Sequence, residues 1–293
     1  MRAVVFDAPG SADVLHVGEI AVPHPDARDV LVAVEAAGVS RADVMQRNGH
    51  YPPPRGASPI LGLEIAGTVA AVGTLVTRWK PGDAVCALTN GGGYAEYVAV
   101  PAGQVLPIPD RWSAIEAATL PENAFTVYDN LVTRARLRRG EVVLVHGGTS
   151  GIGSTAIMFA RALGATPVAT VGTSEKQAAA LRFGAADAID YRTADFVEAV
   201  RAFTHGRGAD VVLDIVGGPY IARDLEALAL DGRVVCLSTA QGSRVDLDLR
   251  ALFAKRAAIM ASSLRPRTAA QKAGIARRLE RQIWPLLPKR DPI

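Results

Sequence analysis

Cysteine is scarce in this sequence of 293 residues, which contains only Cys86 and Cys236. Both lie within apolar, strand-like runs, so we expect them to be small core residues. Two cysteines are too few for a disulfide framework or for a zinc-binding lobe built from four cysteines. Both classes of protein are therefore excluded.

Long hydrophobic runs are missing as well. The nearest candidate, residues 65–76, is too short to cross a membrane and is interrupted by Gly67 and Gly73. The first ten residues lack the apolar segment of a signal peptide. These features predict a soluble, cytoplasmic protein that makes no contact with membranes.

The charge is small overall but unevenly spread. The formal net charge is +3, yet residues 250–290 contain eleven Lys or Arg and one acid, Glu280. Such a basic stretch can bind phosphate-bearing partners. More often it is the solvated face of helices, so we favour that interpretation and do not expect nucleic acid as a partner.

The sequence divides into two parts with different patterns. Up to about residue 113, short strand-like segments alternate with turns, as at 30–36, 64–72 and 94–100, and Pro52–Pro54 indicates a loop. Ser113 and Glu116 form a capping box that opens a short helix. From residue 141 strands and helices alternate: we predict strands at 142–146, 166–171, 188–191, 209–216, 233–237 and 257–262, and helices at 154–163, 174–183, 195–204, 221–230 and 269–279.

This alternation is typical of a parallel sheet that is covered by helices on both faces. We therefore predict an α/β protein with a mostly-β first domain (residues 1–122) and a doubly wound nucleotide-binding domain (residues 123–262). Residues 263–293 are expected to return to the first domain.

A glycine-rich turn follows the first strand of the second domain. Gly147, Gly148, Gly151 and Gly153 lie between the predicted strand 142–146 and the following helix, and Ser150 stands where the strict pattern has its middle glycine. Small residues there let the backbone approach a pyrophosphate, and the start of the helix offers free N–H groups. The position of this turn predicts dinucleotide binding rather than a merely structural turn.

The end of the second strand indicates which dinucleotide binds. An NAD site usually has an acid there, whereas this strand runs into Gly172, and the first acid is Glu175. Lys176 and Arg192 offer positive charge for a 2′-phosphate. The pattern favours NADPH, although a solvated helix-face lysine remains an equal alternative for Lys176.

Several motifs together resemble the medium-chain dehydrogenase/reductase superfamily. They are Gly62–Val69, Pro81–Val85, Gly93–Val98 and the turn at Ser150–Gly153. Ser40–Arg47, Gly49–Pro54 and Ser262–Arg267 are similar, more narrowly, to the zeta-crystallin-type quinone oxidoreductases and to their p53-inducible subgroup. The resemblance implies a GroES-like catalytic domain, a Rossmann domain, and a homodimer that joins through the strand at 257–262.

The resemblance also indicates that zinc is absent. Zinc-dependent members have Cys where this chain has Ser40 and His where it has Leu63, and leucine offers no ligand atom. No four-cysteine lobe follows Asn90. We therefore expect no metal site, and we expect Glu64 to have a structural role.

The resemblance carries over three candidate catalytic residues. Tyr51 would donate a hydrogen bond to the acceptor oxygen as negative charge develops there, the alternative being a packing tyrosine beside the proline loop. Ser40 stands where relatives often have Asn, which weakens its candidacy. Ser150 lies in the glycine turn near the cofactor, and His50 is interpreted as a loop residue.

The expected NADPH-binding residues are likewise those that match cofactor-binding positions of the resembling family. The phosphate turn and its surroundings contribute Thr126, Gly148, Ser150, Gly151, Ile152 and Gly153. Lys176 and Tyr191 would recognise the 2′-phosphate end, next to Gly172, Thr173 and Ser174 at the end of the second strand. Val216 and Gly217 would line the nicotinamide side, and Ser262 and Ser263 are also expected to bind the cofactor.

These features predict NADPH-dependent reduction of quinones by hydride transfer. One alternative is a 2-alkenal or enoyl-thioester reductase of the same superfamily, with an enone as substrate. Another is a non-catalytic, crystallin-like protein that binds NADPH or nucleic acid. Because resembling proteins continue with further strands that complete the first domain, whereas this sequence ends at Ile293, we also expect that domain to be incomplete and less stable than the second.

Overall fold

The computed structural model describes residues 1–287 of the chain. It divides into two compact units, one formed by Met1–Phe125 together with the segment that begins at Leu264, and the other by Thr126–Ser263. The end of the chain at Pro288–Ile293, on which we based the expectation of an incomplete first domain, lies outside the described residues.

The regular elements are as follows, in chain order. The strands are β1 (Arg2–Val5), β2 (His16–Glu19), β3 (Asp29–Ala37), β4 (Glu64–Val72), β5 (Ala84–Leu88), β6 (Tyr97–Pro101), β7 (Val105–Pro107), β8 (Val142–His146), β9 (Thr166–Val171), β10 (Asp187–Asp190), β11 (Ala209–Asp214), β12 (Leu228–Cys236) and β13 (Ala258–Ala261). The helices are α1 (Arg41–Arg47), α2 (Ala114–Ala117), α3 (Pro121–Val127), α4 (Gly151–Ala162), α5 (Ser174–Phe183), α6 (Phe196–Phe203), α7 (Tyr220–Ala227), α8 (Leu249–Lys255) and α9 (Ala269–Gln282), with a π-helical segment at Tyr128–Arg134.

The first unit is built on an antiparallel sheet. Its five strands lie in the order β6-β3-β4-β5-β7, and β1 and β2 pair separately as a hairpin. Val30 and Val32, which lie on the same face of β3, are fully buried, in keeping with the period of two along a strand. They form a core with residues from the neighbouring strands, namely Ile65, Val69, Val85, Val98, Val100 and Val105.

The second unit is built on a parallel sheet. Its six strands lie in the order β10-β9-β8-β11-β12-β13, and each neighbouring pair is parallel. Every residue of the central strand β8 is buried, because helices cover both faces. The doubly wound domain predicted from the sequence is therefore confirmed.

Some element boundaries differ from the sequence prediction. Helix α4 begins at Gly151 rather than at 154, because Ser150 caps it and places the glycines inside its first turn. The helix expected at 221–230 ends at Ala227, because Leu228 is extended and pairs with Ala209 as the start of β12. Helix α8 was not predicted, and the strand expected from residue 94 begins at Tyr97.

The interpretation of residues 250–290 as a solvated helix face is wrong at two positions. Arg265 is 6% exposed and Lys272 is 1% exposed. Lys272 lies on the buried face of α9, beside Ile275, Ala276 and Leu279. Sequence composition could not reveal this, because a charged residue in a basic run has no mark that separates a buried position from a solvated one.

Candidate cofactor and acceptor sites

The glycine-rich turn connects β8 to α4 in the second unit. Ser150 caps the helix: its Oγ accepts a hydrogen bond from the Gly153 N–H (3.0 Å) and donates one to the Gly147 carbonyl (2.8 Å). The N–H groups of Gly151 and Ile152 have no carbonyl of a preceding turn to bind. They stand at the positive end of the helix dipole, which is the arrangement that binds a phosphate group.

Two glycines in this turn have no room for a side chain. A Cβ at Gly153 would lie 2.2 Å from the Gly147 carbonyl oxygen, and one at Gly148 would lie 2.6 Å from the Ala169 Cβ. The turn is thus folded tightly onto the start of the helix and onto β9. This close approach is what a dinucleotide pyrophosphate requires of its binding loop, so the residues fit the expected cofactor.

The residues expected at the 2′-phosphate end come together where β9 and β10 end. Gly172 follows β9, Tyr191 follows β10, and a Cβ at Gly172 would lie 2.7 Å from the Tyr191 hydroxyl oxygen. Thr173 caps α5 by accepting a hydrogen bond from the Lys176 N–H (3.3 Å). Ser174 and Lys176 are exposed in the first turn of that helix.

The first acid after β9, Glu175, is also exposed in that turn. Hydrogen bonds from its own N–H and from the Thr173 hydroxyl lower the pKa of its carboxyl group. It is therefore an anion at the start of α5, one position before Lys176. Gly172, at the tip of the strand, carries no charge.

The turn that follows β11 lies beside the glycine-rich turn. The buried Asp214 side chain accepts hydrogen bonds from the N–H groups of Val216 (2.5 Å) and Gly217 (2.9 Å), which fixes the backbone on which these two expected cofactor residues lie. A Cβ at Gly147 would lie 2.6 Å from Ile215 Cδ1, so the two turns are in direct contact. The role of Asp214 could not be predicted from the sequence, because it depends on how the side chain folds back onto the turn.

Asn130 joins two further residues expected to bind the cofactor. Its side-chain amide donates to the Thr126 carbonyl (2.8 Å), and its Oδ1 accepts from the Ser262 hydroxyl (2.7 Å). Asn130 is 1% exposed and lies in the π-helical segment. Asn130 could not be found from the sequence, since nothing in the local pattern marks a residue that bonds to a partner more than a hundred positions away. Ser263 is exposed next to Ser262.

A buried polar cluster lies directly beneath the glycine-rich turn. His146, the last residue of β8, bonds through Nε2 to Asp224 (2.7 Å) and through Nδ1 to the Thr170 hydroxyl (2.9 Å). Its ring is packed edge-on against Phe196 and Tyr220. Burial raises the pKa of the Asp224 carboxyl, and the hydrogen bond with His146 partly offsets this effect. The cluster anchors the end of the strand from which the turn departs.

In the first unit, Ser40 is engaged in capping α1. Its N–H (2.9 Å) and its hydroxyl (3.0 Å) both donate to Asp43 Oδ2. The other carboxylate oxygen of Asp43 accepts from the Gly62 N–H (2.9 Å), and the Tyr94 hydroxyl lies 3.3 Å from Oδ2. Asp43 thereby ties three segments of the chain together, and the Ser40 hydroxyl has no second proton to donate.

Leu63 and Glu64 lie in the interior of the first unit. Leu63 is 4% exposed and Glu64 is 2% exposed. Glu64 Oε2 accepts a hydrogen bond from the Glu122 N–H (2.9 Å). Burial raises the pKa of Glu64 to about 8, because the charged carboxylate is poorly solvated there.

Tyr51 lies in the loop after α1, and its chain neighbours Gly49 and Pro52 line an apolar cavity. The cavity has a volume of about 490 Å³ and is lined by Val5, Phe6, Pro9, Gln46, Gly49, Pro52, Pro53, Pro59 and Ile60. Arg265 donates a hydrogen bond to the Tyr51 carbonyl (3.2 Å), and its guanidinium carbon lies 5.1 Å from the centre of the Tyr51 ring. Within residues 1–287 the Tyr51 hydroxyl has no hydrogen-bond partner.

The structure therefore groups the expected residues by unit. Thr126 lies in α3, and the other cofactor residues of the second unit follow the carboxyl ends of β8, β9, β10, β11 and β13, which lie at the same end of the parallel sheet. Tyr51 and Ser40 lie in the first unit, and Ser150 lies in the second. Among residues 1–287, none of the helices combines the length and the apolar composition that a membrane span requires. The same residues contain no group of three or more His, Cys, Asp or Glu that is arranged to hold a metal ion.

Two family models match this chain. A model of the alcohol dehydrogenase GroES-like domain matches residues 26–110, and a model described as zinc-binding dehydrogenase matches residues 151–277. Together they confirm the expected combination of a GroES-like domain with a Rossmann domain.

Relatives and solved structures agree with these models. Human quinone oxidoreductase is 32% identical over 272 residues, which are 90% of this chain and 80% of that protein. The structure of Escherichia coli quinone oxidoreductase complexed with NADPH superposes with a TM-score of 0.84 at 30% identity, covering 99% of this chain and 90% of that one. The CurK enoyl reductase structure has a TM-score of 0.82 at 26% identity, covering 96% and 88%. The chain therefore belongs to the medium-chain dehydrogenase/reductase superfamily, among the quinone oxidoreductases, and is an oxidoreductase that uses a nicotinamide cofactor.

Proposed function

We propose that this protein reduces quinones with NADPH, by hydride transfer and without zinc. One observation carries the proposal. At the carboxyl end of the parallel sheet, a tight glycine turn follows β8, and the neighbouring strand β9 ends at Gly172 without an acidic residue. Lys176 and Tyr191 are the residues proposed to bind the 2′-phosphate. The NADPH complex of the Escherichia coli relative supports the choice of cofactor.

Tyr51 is the residue proposed to act on the acceptor. Bound NADPH supplies the hydride, and negative charge then develops on an oxygen of the acceptor. The Tyr51 hydroxyl has no partner among the described residues and is free to donate a hydrogen bond to that oxygen. The Ser40 hydroxyl is already bonded to Asp43, which supports a structural role for Ser40 and leaves Tyr51 as the better candidate.

Independence from zinc is proposed from the first unit. Leu63 occupies a buried position without a ligand atom, and the Ser40 oxygen is a much poorer zinc ligand than a thiolate. The buried Glu64 is hydrogen-bonded to the backbone at Glu122. The proposal therefore assigns charge stabilisation at the acceptor to hydrogen bonding rather than to a metal ion.

A second candidate function is the reduction of an enone, either a 2-alkenal or an enoyl thioester. The likeness to the CurK enoyl reductase favours it. The chemistry required of this chain is the same, because hydride addition to a conjugated carbonyl also builds negative charge on its oxygen. A non-catalytic protein that binds nucleic acid is less well supported, because Arg265 and Lys272 of the basic stretch are buried.

We also propose a homodimer that forms through β13. This strand is at the edge of the parallel sheet, and Ile259 on it and Phe253 on the preceding helix are exposed. An unpaired apolar edge strand is a surface that commonly associates with a second copy. Light scattering of the purified protein would give twice the monomer mass if this is right.

The test of function is turnover with a panel of acceptors. NADPH oxidation is followed with 1,4-benzoquinone, a 2-alkenal and an enoyl thioester, for the wild type and for Tyr51→Phe. We expect turnover with the quinone, a lower kcat in Tyr51→Phe and an unchanged NADPH affinity. Turnover with the thioester alone would favour the second candidate, and NADPH binding without any turnover would favour a binding protein.

A further inference from the structure

The first unit contains two buried cations that have no carboxylate partner. Arg265 and Lys272 donate only to neutral acceptors. No carboxylate of residues 1–287 lies within ion-pair distance of either group, and the Asp43 carboxylate acts on Arg265 only from a greater distance. Burying a charge without an opposite charge costs several kcal/mol, and replacing it by an apolar side chain is often neutral or stabilising. Fold stability alone therefore does not account for this pair.

The contacts of Arg265 converge on the segments around Tyr51. One terminal nitrogen donates to the Tyr51 carbonyl (3.2 Å), and the other donates to Gln46 Oε1 (2.6 Å) and to the Asn90 carbonyl (2.8 Å). Gln46 in turn donates to the Pro59 carbonyl (3.0 Å). The guanidinium thus joins the residues before, within and after the Tyr51 loop to a separate segment at Asn90.

The guanidinium carbon also lies over the ring of Tyr51. The 5.1 Å separation between its central carbon and the ring centre lies within the range of a cation–π contact, which is stronger when the cation is desolvated. Arg265 therefore holds Tyr51 both by its main chain and by its ring. The hydroxyl at the far end of that ring is left free.

Lys272 holds Arg265 in turn. Its ammonium group donates to the Arg265 carbonyl (3.0 Å) and to Asn90 Oδ1 (2.5 Å). Burial lowers the pKa of Lys272 to about 8, and the charge of Arg265 acts in the same direction. Lys272 and Arg265 are thus linked by hydrogen bonds into one buried unit that supports the Tyr51 loop.

We propose that Arg265 is a positioning residue that acts through Tyr51, holding its ring so that the free hydroxyl meets the acceptor oxygen. This inference rests on the proposed role of Tyr51 in reduction. The guanidinium group suits this role because it is planar and its N–H donors point in several fixed directions. It can therefore bond to two segments of the chain at once, whereas a lysine ammonium group would not fix their relative position. A displacement of the donor by about 1 Å is enough to cost up to about 100-fold in rate.

The main test is a double-mutant cycle in the full chain. Arg265→Met, Tyr51→Phe and the double variant are assayed for NADPH oxidation with 1,4-benzoquinone, and Arg277→Met, an exposed arginine on α9, is the matched control. We expect Arg265→Met to lower kcat by about 10-fold to 100-fold while the dissociation constant for NADPH stays within twofold. In the Tyr51→Phe background it should cost almost nothing further, because both changes remove the same hydrogen bond.

Each outcome has one meaning. An additive loss in the double variant, or a wild-type kcat in Arg265→Met, would overturn the positioning role while leaving the proposed function intact. A wild-type rate in Tyr51→Phe would instead remove Tyr51 from the mechanism, and the inference with it. If Arg265→Met does not fold, Arg265→Lys replaces it, since it keeps the buried charge but loses the planar fork and should show the same dependence on Tyr51.

A readout without turnover separates this inference from the proposed reaction. Hydrogen exchange of the peptide that covers residues 44–58 should be faster in the Arg265 variant than in Arg277→Met. If exchange is faster but the wild type turns over no acceptor, the proposed reaction is rejected, and the conclusion that Arg265 holds the Tyr51 loop is kept. Unchanged exchange would overturn the inference whether or not the protein reduces quinones.

Discussion

The hydroxyl of Tyr191 lies directly against the bare backbone of Gly172. A Cβ at residue 172 would be 2.7 Å from that oxygen, so no side chain fits there while Tyr191 keeps its place. An aspartate at the tip of β9, which would bind the ribose hydroxyls of NADH, is absent from the sequence, and a side chain there would require the half-exposed Tyr191 ring to shift. In the proposed site, a tyrosine hydroxyl and the nearby Lys176 take the place of the acid.

Replacing Lys176 by alanine should weaken NADPH binding selectively. Loss of one charge-assisted contact to the 2′-phosphate costs roughly 1.5–3 kcal/mol, which is about 10-fold to 100-fold in affinity. NADH lacks this phosphate, so its affinity should change little. Fluorescence titration with both cofactors measures the difference, and the exposed Lys80, replaced by alanine, is the control. Equal losses for the two cofactors would identify Lys176 as structural.

Replacing Gly153 by alanine should abolish cofactor binding. The new Cβ would lie 2.2 Å from the Gly147 carbonyl oxygen, so the turn must open and its N–H groups lose their alignment. The matched control is Gly274→Ala in α9, where the nearest atom would be 3.6 Å away. That change should be neutral or stabilise the protein by about 0.5–1 kcal/mol, as expected for a helical glycine. NADPH affinity at the wild-type level in Gly153→Ala would contradict the proposed phosphate site.

Glu64 should make the stability of the protein fall as the pH rises. Burial raises its pKa from 4.5 to about 8 in the folded state, so between these values the folded state holds a proton that the unfolded state has released. The free energy of unfolding therefore decreases as the pH increases from about 5 to 8.

Glu64→Gln should remove this dependence. The variant should match the wild type near pH 5 and exceed it near pH 8, by a difference on the order of 2–4 kcal/mol. Urea unfolding at several pH values measures this, with the exposed Glu19→Gln as the control. If the two proteins keep parallel pH profiles, Glu64 is not the group responsible.

Removal of metal ions should not affect turnover. Leu63 offers no ligand atom, and the Ser40 hydroxyl is bonded to Asp43. Dialysis against a chelator should leave kcat unchanged, and elemental analysis should find less than stoichiometric zinc. Loss of activity on dialysis, with recovery on adding zinc, would show that a metal site forms from other residues.

Much of the second unit followed from local sequence. Strands β8 and β9 and helix α5 have the predicted bounds, because uninterrupted apolar runs rich in valine favour buried strands and a capping residue marks where a helix starts. The glycine turn could be placed for the same reason, since it lies between two such elements. Where apolar residues were compatible with both states, as at Leu228–Leu230, the helix was extended too far, and pairing with β11 decided in favour of strand.

The sequence by itself determined the alternation of strands and helices from β8 to α7, the position of the phosphate turn and the lack of an acid at Gly172, because each of these is encoded by neighbouring residues. Only the tertiary structure decided which polar groups are buried and with whom they bond. Asn130 meets Ser262 across 132 positions, and Arg265 meets Tyr51 across 214. Such partners share no local pattern, and the burial that makes a charge costly exists only once distant segments have packed around it.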